Sequence, residues 1–318
     1  MKTFSNHCAL AACAVVLSAC APDAEAPLPH VEQLNRLVGA TRDLAIELHE
    51  GTNMAVSPSP DGKRVVFSMQ GALWVMPIEG GNAQRITGWE LEPTWPVWSP
   101  DGKTIAFQNY AAEGNYHIWT IALDGRGATE LTSGPWDDRE PAWLPDGSGL
   151  VFASDRGNDH QYKIWRLAFD GMLLVQLTQG KGAESQPAVS PDGKRLAWAD
   201  NARIYTLALE SATSAAVAVA PGSAPAWTPD SSALAYQNLA GQLTLANREV
   251  TTNEDMFPFP ARFLPDGRFL YTADGKIRLR QAGGAIRSTW VSRPPCWCAV
   301  PAPRVRVSAG LATAWRAG

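Results

Sequence analysis

The pentapeptide SPDGK occurs three times in this chain, at Ser59–Lys63, Ser99–Lys103 and Ser190–Lys194. Proline presets the φ angle at the second position of a turn, aspartate accepts hydrogen bonds from its own backbone, and glycine takes a left-handed conformation without steric cost. The motif therefore predicts a tight turn between two β-strands. Its recurrence predicts that one structural unit is repeated along the chain.

Looser copies of the same turn extend the series to Pro145-Asp146-Gly147, Pro229-Asp230-Ser231 and Pro265-Asp266-Gly267. The six turns begin at residues 60, 100, 145, 191, 229 and 265, so successive turns are 40, 45, 46, 38 and 36 residues apart. A period near 40 with strand-like segments throughout is typical of β-propeller blades. We therefore predict an all-β fold, a β-propeller of about six four-stranded blades.

The segments around each turn repeat as well, with an apolar strand before it and an alternating strand after it. Trp98, Trp143 and Trp227 take equivalent places on three of the apolar strands, so we expect all three to be buried. The strand-like segment Arg42–Glu50 is the candidate for the outer strand of the last blade. A helix is expected only around Val31–Val38.

The amino terminus reads MKTFSNHCALAACAVVLSACAPDAEAPLPH and contains a short apolar run. The run is shorter than the roughly 18 to 20 residues of a membrane-spanning helix, so it predicts an export signal. Leu17-Ser18-Ala19-Cys20 resembles the lipobox of bacterial lipoproteins. This resemblance implies a signal peptide at residues 1–19 and a lipid on the sulfur of Cys20 that attaches the chain to a membrane.

Ala21 follows the lipobox, where many Gram-negative lipoproteins that stay in the inner membrane have aspartate. The resemblance thus implies an outer-membrane lipoprotein that faces the periplasm. Residues 20–41 then form a tether that is rich in Ala and Pro near its start.

Composition excludes two classes of protein. A formal charge of −4 without a basic run gives no electrostatic reason to expect a nucleic-acid partner. The chain has no cysteine between Cys20 and Val291, which excludes a scaffold built on disulfides.

The SPDGK turns, the strand WSPDGKTIAF and the segments ELTSGPWDDREPAW and FASDRGND resemble the TolB-like, WD40-like repeat propellers of the bacterial periplasm. The likeness runs from about Thr52 to Asp274, and we place the propeller domain at residues 42–287. It implies a non-catalytic module that binds an envelope protein or a peptide substrate.

A second resemblance keeps an alternative open. The segment His49–Gly81 most resembles the opening of the N-terminal propeller of large bacterial amidohydrolases. It implies the propeller fragment of a truncated or frameshifted amidohydrolase, or, less well supported, of a prolyl-oligopeptidase-like peptidase.

The chain itself carries no catalytic motif that we recognise. It has no Gly-x-Ser-x-Gly nucleophile elbow, no His-x-His or His-Glu-x-x-His pair and no glycine-rich phosphate loop. We therefore name no catalytic residue and no cofactor, and the sequence leaves open whether the parent family is an enzyme.

Polar residues cluster before one of the inner strands, at Asp137, Asp138, Arg139 and Glu140. Glu92 and Glu184 fall near the corresponding places of the adjacent repeats. If the inner strands surround a central channel, these side chains would meet at one mouth and bind a structural cation or a basic segment of a partner. The other interpretation is that they are solvated loop residues.

Two further segments differ from the repeat. Asp155–His160 is expected to form a turn held by its own side chains.

After Asp274 there is no acidic residue in 44 positions, and residues 288–318 contain four Arg, three Trp, two Cys and no Lys. This atypical tail resembles a GC-rich gene read out of frame, which predicts a frameshift near Ile286. A metal pair at Cys296 and Cys298 is disfavoured because no His or further Cys lies nearby.

Overall fold

The structure, a computed structural model, describes residues 41–44, 47–48, 50–88, 90–112, 114–157, 159–210, 215–281, 300–301 and 305–308. The regular secondary structure of these residues consists of strands β1 to β27. No helix that could cross a membrane is found in the described part of the chain. The predicted signal peptide, most of the tether, the helix around Val31–Val38, Cys20 and the Cys296/Cys298 pair lie outside the described residues.

Six antiparallel sheets, here called blades I to VI, follow one another along the chain. Blades I to III consist of β3 (Val56–Pro58), β4 (Arg64–Met69), β5 (Ala72–Pro77) and β6 (Gln84–Arg85); β7 (Pro93–Trp98), β8 (Thr104–Tyr110), β9 (Tyr116–Ala122) and β10 (Thr129–Glu130); and β11 (Asp138–Trp143), β12 (Gly149–Ser154), β13 (Lys163–Ala168) and β14 (Leu173–Gln176).

The second half of the ring has the same plan, with three described strands in its last blade. Blades IV to VI consist of β15 (Glu184–Val189), β16 (Arg195–Asp200), β17 (Arg203–Ala208) and β18 (Val217–Pro221); β19 (Ser223–Trp227), β20 (Leu234–Gln237), β21 (Leu243–Leu245) and β22 (Arg248–Glu249); and β23 (Arg262–Phe263), β24 (Arg268–Ala273) and β25 (Lys276–Gln281).

The first strand of every blade contacts the first strands of both neighbouring blades, and β23 of blade VI contacts β3 of blade I. The first strands are therefore innermost and surround a central channel. Within each blade the strands follow chain order outward from the channel. The predicted fold class, an all-β propeller of about six four-stranded blades, is confirmed.

The hydrophobic core is divided into six clusters, one between each pair of neighbouring blades. Strand β12 shows how one strand serves two clusters. Leu150 and Phe152 pack against blade II, whereas Val151 and Ala153 pack against blade IV. Successive side chains of a strand point to opposite faces, so each blade buries both faces only between its neighbours.

The predicted closure of the ring is wrong in one respect. In the described residues, blade VI ends at β25, and the segment Arg42–Glu50 adds no strand to it. Instead β2 (Glu47–Leu48) pairs with β26 (Val300–Pro301), while β1 (Thr41–Leu44) pairs with β27 (Val305–Ser308) in a separate compact unit. An alternating sequence predicts a strand but not its partner, because any open edge offers the same N–H and C=O groups.

Each SPDGK turn is held by the same set of hydrogen bonds among its own residues and the residue that follows it. Ser59 Oγ accepts the N–H of Arg64 at 2.9 Å and donates to Asp61 at 2.5 Å, and Asp61 accepts the N–H of Lys63 at 3.1 Å. The turns at Ser99 and Ser190 repeat this pattern. The bonds from Ser59 and Lys63 lower the pKa of Asp61.

The three inner-strand tryptophans occupy the same register, opposite Ile105, Leu150 and Leu234. Trp98 and Trp227 are buried as predicted, but Trp143 is only partly buried, because its ring lies edge-on to the likewise half-buried Phe169. Trp143 and Trp227 each donate their indole N–H to a carbonyl of the preceding blade, at 3.2 and 3.1 Å.

Candidate functional site

The predicted site residues all lie on one face of the propeller. The Pro-Asp-Gly turns join first to second strands on one face, which we call the turn face. The opposite face, which we call the loop face, carries the connections into the inner strands and those between second and third strands. Glu92, Asp137 to Glu140 and Glu184 lie where β7, β11 and β15 begin, on the loop face.

Asp137 is buried and holds Arg139 in place. Its Oδ2 accepts Arg139 Nε at 2.6 Å and also the hydroxyl of Tyr162, while Oδ1 accepts the N–H of Tyr116 at 2.7 Å. Burial opposes ionisation of Asp137, but these hydrogen bonds outweigh it and hold its pKa below the usual range. The Arg139 guanidinium lies over the rings of Tyr116 and Tyr162, at 4.7 and 5.7 Å. The two charges thus neutralise each other.

Asp138 is completely buried and is paired with Arg156, a residue of the second polar segment. Arg156 Nη2 donates to Asp138 Oδ2 at 2.5 Å, and Arg156 Nε donates to Ser154 at 2.9 Å. The guanidinium is also stacked 5.2 Å from the ring of Trp136. An Asp138 carboxylate without this partner would be an isolated buried charge, so the pair is a structural necessity.

The two polar segments that the sequence presented separately form one network. Besides the pair of Arg156 with Asp138, Asp155 accepts the backbone N–H of Asp137 at 2.9 Å. A turn is also present, and the bond that closes it is a backbone bond from the N–H of His160 to the carbonyl of Gly157, at 3.1 Å, rather than the side-chain bond that we expected. Asp155–His160 therefore does more than close a turn, because it fixes the start of the inner strand β11.

Glu184 and Glu92 do not join this network. Glu184 is buried and accepts the hydroxyl of Thr178 and the N–H of Gly180, the latter at 3.0 Å, which closes the loop before β15. Burial raises the pKa of Glu184 against those hydrogen bonds. Glu92 is exposed. Among the described residues, no group of three Asp, Glu, His or Cys side chains is arranged to hold a metal ion.

Glu140 has a different environment, at the inner edge of the blades. Its carboxylate accepts the N–H of Gln186 in blade IV, and Gln186 Oε1 accepts the N–H of Ala224 in blade V at 2.7 Å. The N–H of Glu140 in turn donates to Gln108 of blade II at 2.7 Å. We call Gln108, Glu140, Gln186 and Ala224 the channel belt, because they connect four successive blades beside the channel.

A shared backbone distortion creates the belt. Glu140, Gln186 and Ala224 have φ angles of 59°, 55° and 54°, each lies directly before a proline, and the pairing register of the inner strand shifts there. A bulge of this kind re-aims a side chain, and left-handed residues other than glycine are uncommon. Trp95 takes the same place in blade II, with φ of 55°. The residue before proline in the inner strands of blades II to V is the sequence signal for these positions.

Glu140 is the one charged member of the channel belt, and burial raises its pKa to about 7. The N–H of Gln186 and the nearby Arg139 oppose this shift but do not cancel it. Glu140 therefore changes charge near neutral pH, at a position where the other belt residues are neutral.

The connection into blade VI lies across the mouth of the channel. Gln186 Nε2 donates to the carbonyl of Pro258 at 3.1 Å, and Gln237 Nε2 donates to those of Phe257 and Phe259 at 2.6 and 3.1 Å. The ring of Phe259 meets that of Trp95 edge-on at 5.2 Å. Blades II and VI are not neighbours in the ring, so this contact spans the mouth. No motif in the sequence marked Trp95, Gln237 or Phe257–Phe259 as part of the site.

Comparison with known proteins was informative for the fold. No protein-family model matches the sequence, and no significant relative is found among curated proteins. The solved structure of a putative TolB from Agrobacterium tumefaciens is 19% identical, with a TM-score of 0.52, over 76% of this chain and 80% of that one. The chain has a TolB-like propeller fold.

Two other solved structures match this chain over only part of their own length. TolB from Acinetobacter baumannii is 20% identical with a TM-score of 0.49, and the match covers 77% of this chain but 53% of that one, so this chain spans about half its length. The tricorn protease is 16% identical with a TM-score of 0.56, over 73% of this chain and 25% of that protein. These identities show similarity of fold alone.

Proposed function

We propose that this protein is a lipid-anchored β-propeller that faces the periplasm and binds a partner, without catalysis, at the channel mouth on its loop face. One observation carries the proposal. Glu140 has a charged side chain at a place of the channel belt where Gln108 and Gln186 make the equivalent bond to the next blade with an uncharged amide oxygen. Strained positions and perturbed carboxylates are concentrated at functional sites.

The chemistry of the mouth favours a basic, partly apolar segment of an envelope protein or peptide substrate. An ammonium or guanidinium group of the partner would pair with the ionised Glu140. An adjacent apolar side chain would pack on the partly buried ring of Phe259, which the buried ring of Trp95 supports edge-on. Asp137 and Asp138 contribute no free charge, because Arg139 and Arg156 neutralise them.

A matched pair of peptides tests this proposal by calorimetry. Acetyl-Phe-Lys-Phe-amide should bind the full chain more tightly at pH 8 than at pH 6, because Glu140 ionises between these values. Acetyl-Phe-norleucine-Phe-amide, which lacks the charge, should show no such dependence. Glu140→Gln should abolish the difference between the pH values, whereas Glu92→Gln, an exposed acid of the same face, should keep it. Identical binding of both peptides at both pH values would contradict the proposal.

The lipid anchor is tested separately. The lipobox Leu17–Cys20 supports it, and the several acyl chains of a bacterial lipoprotein would hold the protein firmly where one chain binds only marginally. Labelled palmitate should enter the wild-type protein in a bacterial host and should not enter Cys20→Ala. Labelling of the variant would rule out this anchor.

A second candidate function is a propeller that belongs to a larger hydrolase and filters or positions its substrate. The match of this chain to a quarter of the tricorn protease favours it, together with the resemblance of His49–Gly81 to amidohydrolase propellers. The other two reading frames of the DNA downstream of the Arg287 codon distinguish this candidate function from the first. An open second frame with further strand repeats and a His-x-His motif would support a metal-dependent amidohydrolase, and early stops in both other frames would exclude it.

A further inference from the structure

A pocket of about 800 Å³ opens on the loop face over blade II and shares no residue with the channel belt. Its volume suits a small molecule. Its described lining combines the rings of Tyr110 and Trp119 with the carboxylates of Glu90 and Glu130, and His117 lies among them. His117 and Trp119 are two residues apart on β9, so both side chains lie on the same face of that strand.

His117 is a buried polar side chain of the pocket lining. Its side chain is only 4% exposed, yet its Nδ1 makes no hydrogen bond to any described residue. The nearest acid, Asp138, is 4.0 Å from this nitrogen and is already paired with Arg156. This nitrogen therefore faces the buried pair of Asp138 and Arg156, and we assign His117 no bond to a ligand.

The charge of the lining restricts the ligand further. Glu90 and Glu130 are both exposed at the pocket, and its described lining contains no Lys or Arg. Both acids would repel an anion, and the charge of Glu90 also acts on the nearby Arg85 of β6. The negative faces of the Tyr110 and Trp119 rings attract a cation.

The indole of Trp119 adds one donor to these acceptors. Its Nε1–H is buried and has no hydrogen-bond partner among the described residues. We propose that the pocket binds a small organic ammonium ion that also bears a hydroxyl or ether oxygen. The ammonium lies against Glu130, Glu90 and the aromatic faces, and the oxygen accepts from Trp119. This site is independent of the channel mouth.

Calorimetry with two matched probes tests the charge requirement. The full chain in 150 mM salt, which screens diffuse attraction, should bind 5-aminopentan-1-ol at least about tenfold more tightly than 1,5-pentanediol. Glu130→Gln and Tyr110→Leu should each weaken binding of the amine by about two- to fivefold, the effect of one exposed ion pair or cation–π contact. Glu210→Gln, an exposed acid outside the pocket that faces Lys194, is the control and should bind normally.

A spectroscopic measurement locates the ligand. The indole N–H resonance of Trp119, assigned by its loss in Trp119→Phe, should shift when the amine binds. Equal binding of 1,5-pentanediol or of maltose would overturn the proposal in favour of a neutral polyol site. The proposal of an ammonium site would also fail if the amine did not bind, if Glu210→Gln weakened binding as much as Glu130→Gln, or if the Trp119 resonance did not move. None of these results involves Glu140, so they do not bear on the channel mouth.

Discussion

On the turn face, Ser59 and Asp61 complete their hydrogen bonds within residues 59–64. On the loop face, Asp138 depends on Arg156, 18 residues away, and Glu140 bonds to Gln186, 46 residues away in the next blade. The SPDGK turns of the turn face thus repeat one local pattern, to which blade IV adds a bond from the N–H of Asp192 to Ser231 Oγ of blade V. The loop face is assembled from several blades, and its networks differ from blade to blade. We infer that the repeat maintains the ring and leaves the loop face free for recognition.

Blade by blade, the beginnings of the inner strands illustrate this difference. The place taken by Asp138 in blade III is taken by Glu184 in blade IV, and the two acids have unrelated partners, Arg156 and Thr178. By contrast, Ser99 and Ser190 form the same bonds as Ser59. Mutations on the two faces should therefore differ in size and in how their effects combine.

The largest effect is expected where blades are packed together just before a turn. Trp227→Ala should lower the free energy of unfolding by about 4 kcal/mol, because it empties a buried site and removes a bond to Ala188 of the preceding blade. Trp143→Ala should cost about half as much, since that ring is only partly buried. Urea denaturation of both variants measures this, and a cost below about 1 kcal/mol at Trp227 would mean that the repeats are misaligned.

A slightly smaller loss is expected from the buried ion pair of the loop face. Asp138→Ala should cost about 3 kcal/mol, because it leaves the Arg156 guanidinium buried without its counter-charge. A double-mutant cycle with Arg156→Met should show a coupling of about 1 to 3 kcal/mol. Glu92→Ala, an exposed acid on the same face, should change stability by less than about 0.5 kcal/mol. Additive effects of the Asp138 and Arg156 variants would mean that the loop face is not a coupled network.

The effect of Glu140 should depend on pH. Its pKa is about 7 in the folded protein against an ordinary value of 4.5, so its protonated form stabilises the fold below about pH 4.5 and this contribution is lost as pH rises through 7. Relative to Glu140→Gln, the wild-type protein should lose about 1 to 3 kcal/mol between pH 4.5 and pH 8. Unfolding of both proteins across this range measures the difference, and a constant difference would place Glu140 in an ordinary solvated environment.

The smallest effects belong to the turns. Ser59→Ala and Ser190→Ala should each cost about 1 kcal/mol, because each leaves one strand N–H without its acceptor. The two serines belong to separate turns in blades I and IV, so the double variant should cost the sum of the two within about 0.5 kcal/mol. A clear departure from additivity would show that the turn face also communicates across the ring.

The sequence pattern indicated Glu140 as a candidate site residue together with Glu92, Glu184 and Asp137 to Arg139, because all of them stand near the start of inner strands. The structure instead connects Glu140 to Gln186 and Gln108, two amides that carry no charge and drew no attention. Similarly, nothing in the sequence indicated that Arg156 would neutralise Asp138, since Asp138 begins the inner strand β11 and Arg156 lies 18 residues later, in the loop after β12.

The sequence by itself determined the number of blades, the order of their strands and the geometry of the Pro-Asp-Gly turns. These features depend on residues that are close in the chain, such as Ser59 and Arg64, whose contacts are the same wherever the pentapeptide occurs. Only the tertiary structure decided which acids are neutralised, which one stays titratable and which aromatic rings meet across the channel. Those outcomes depend on burial and on partners from other blades, and both exist only once the ring has closed and brought distant segments together.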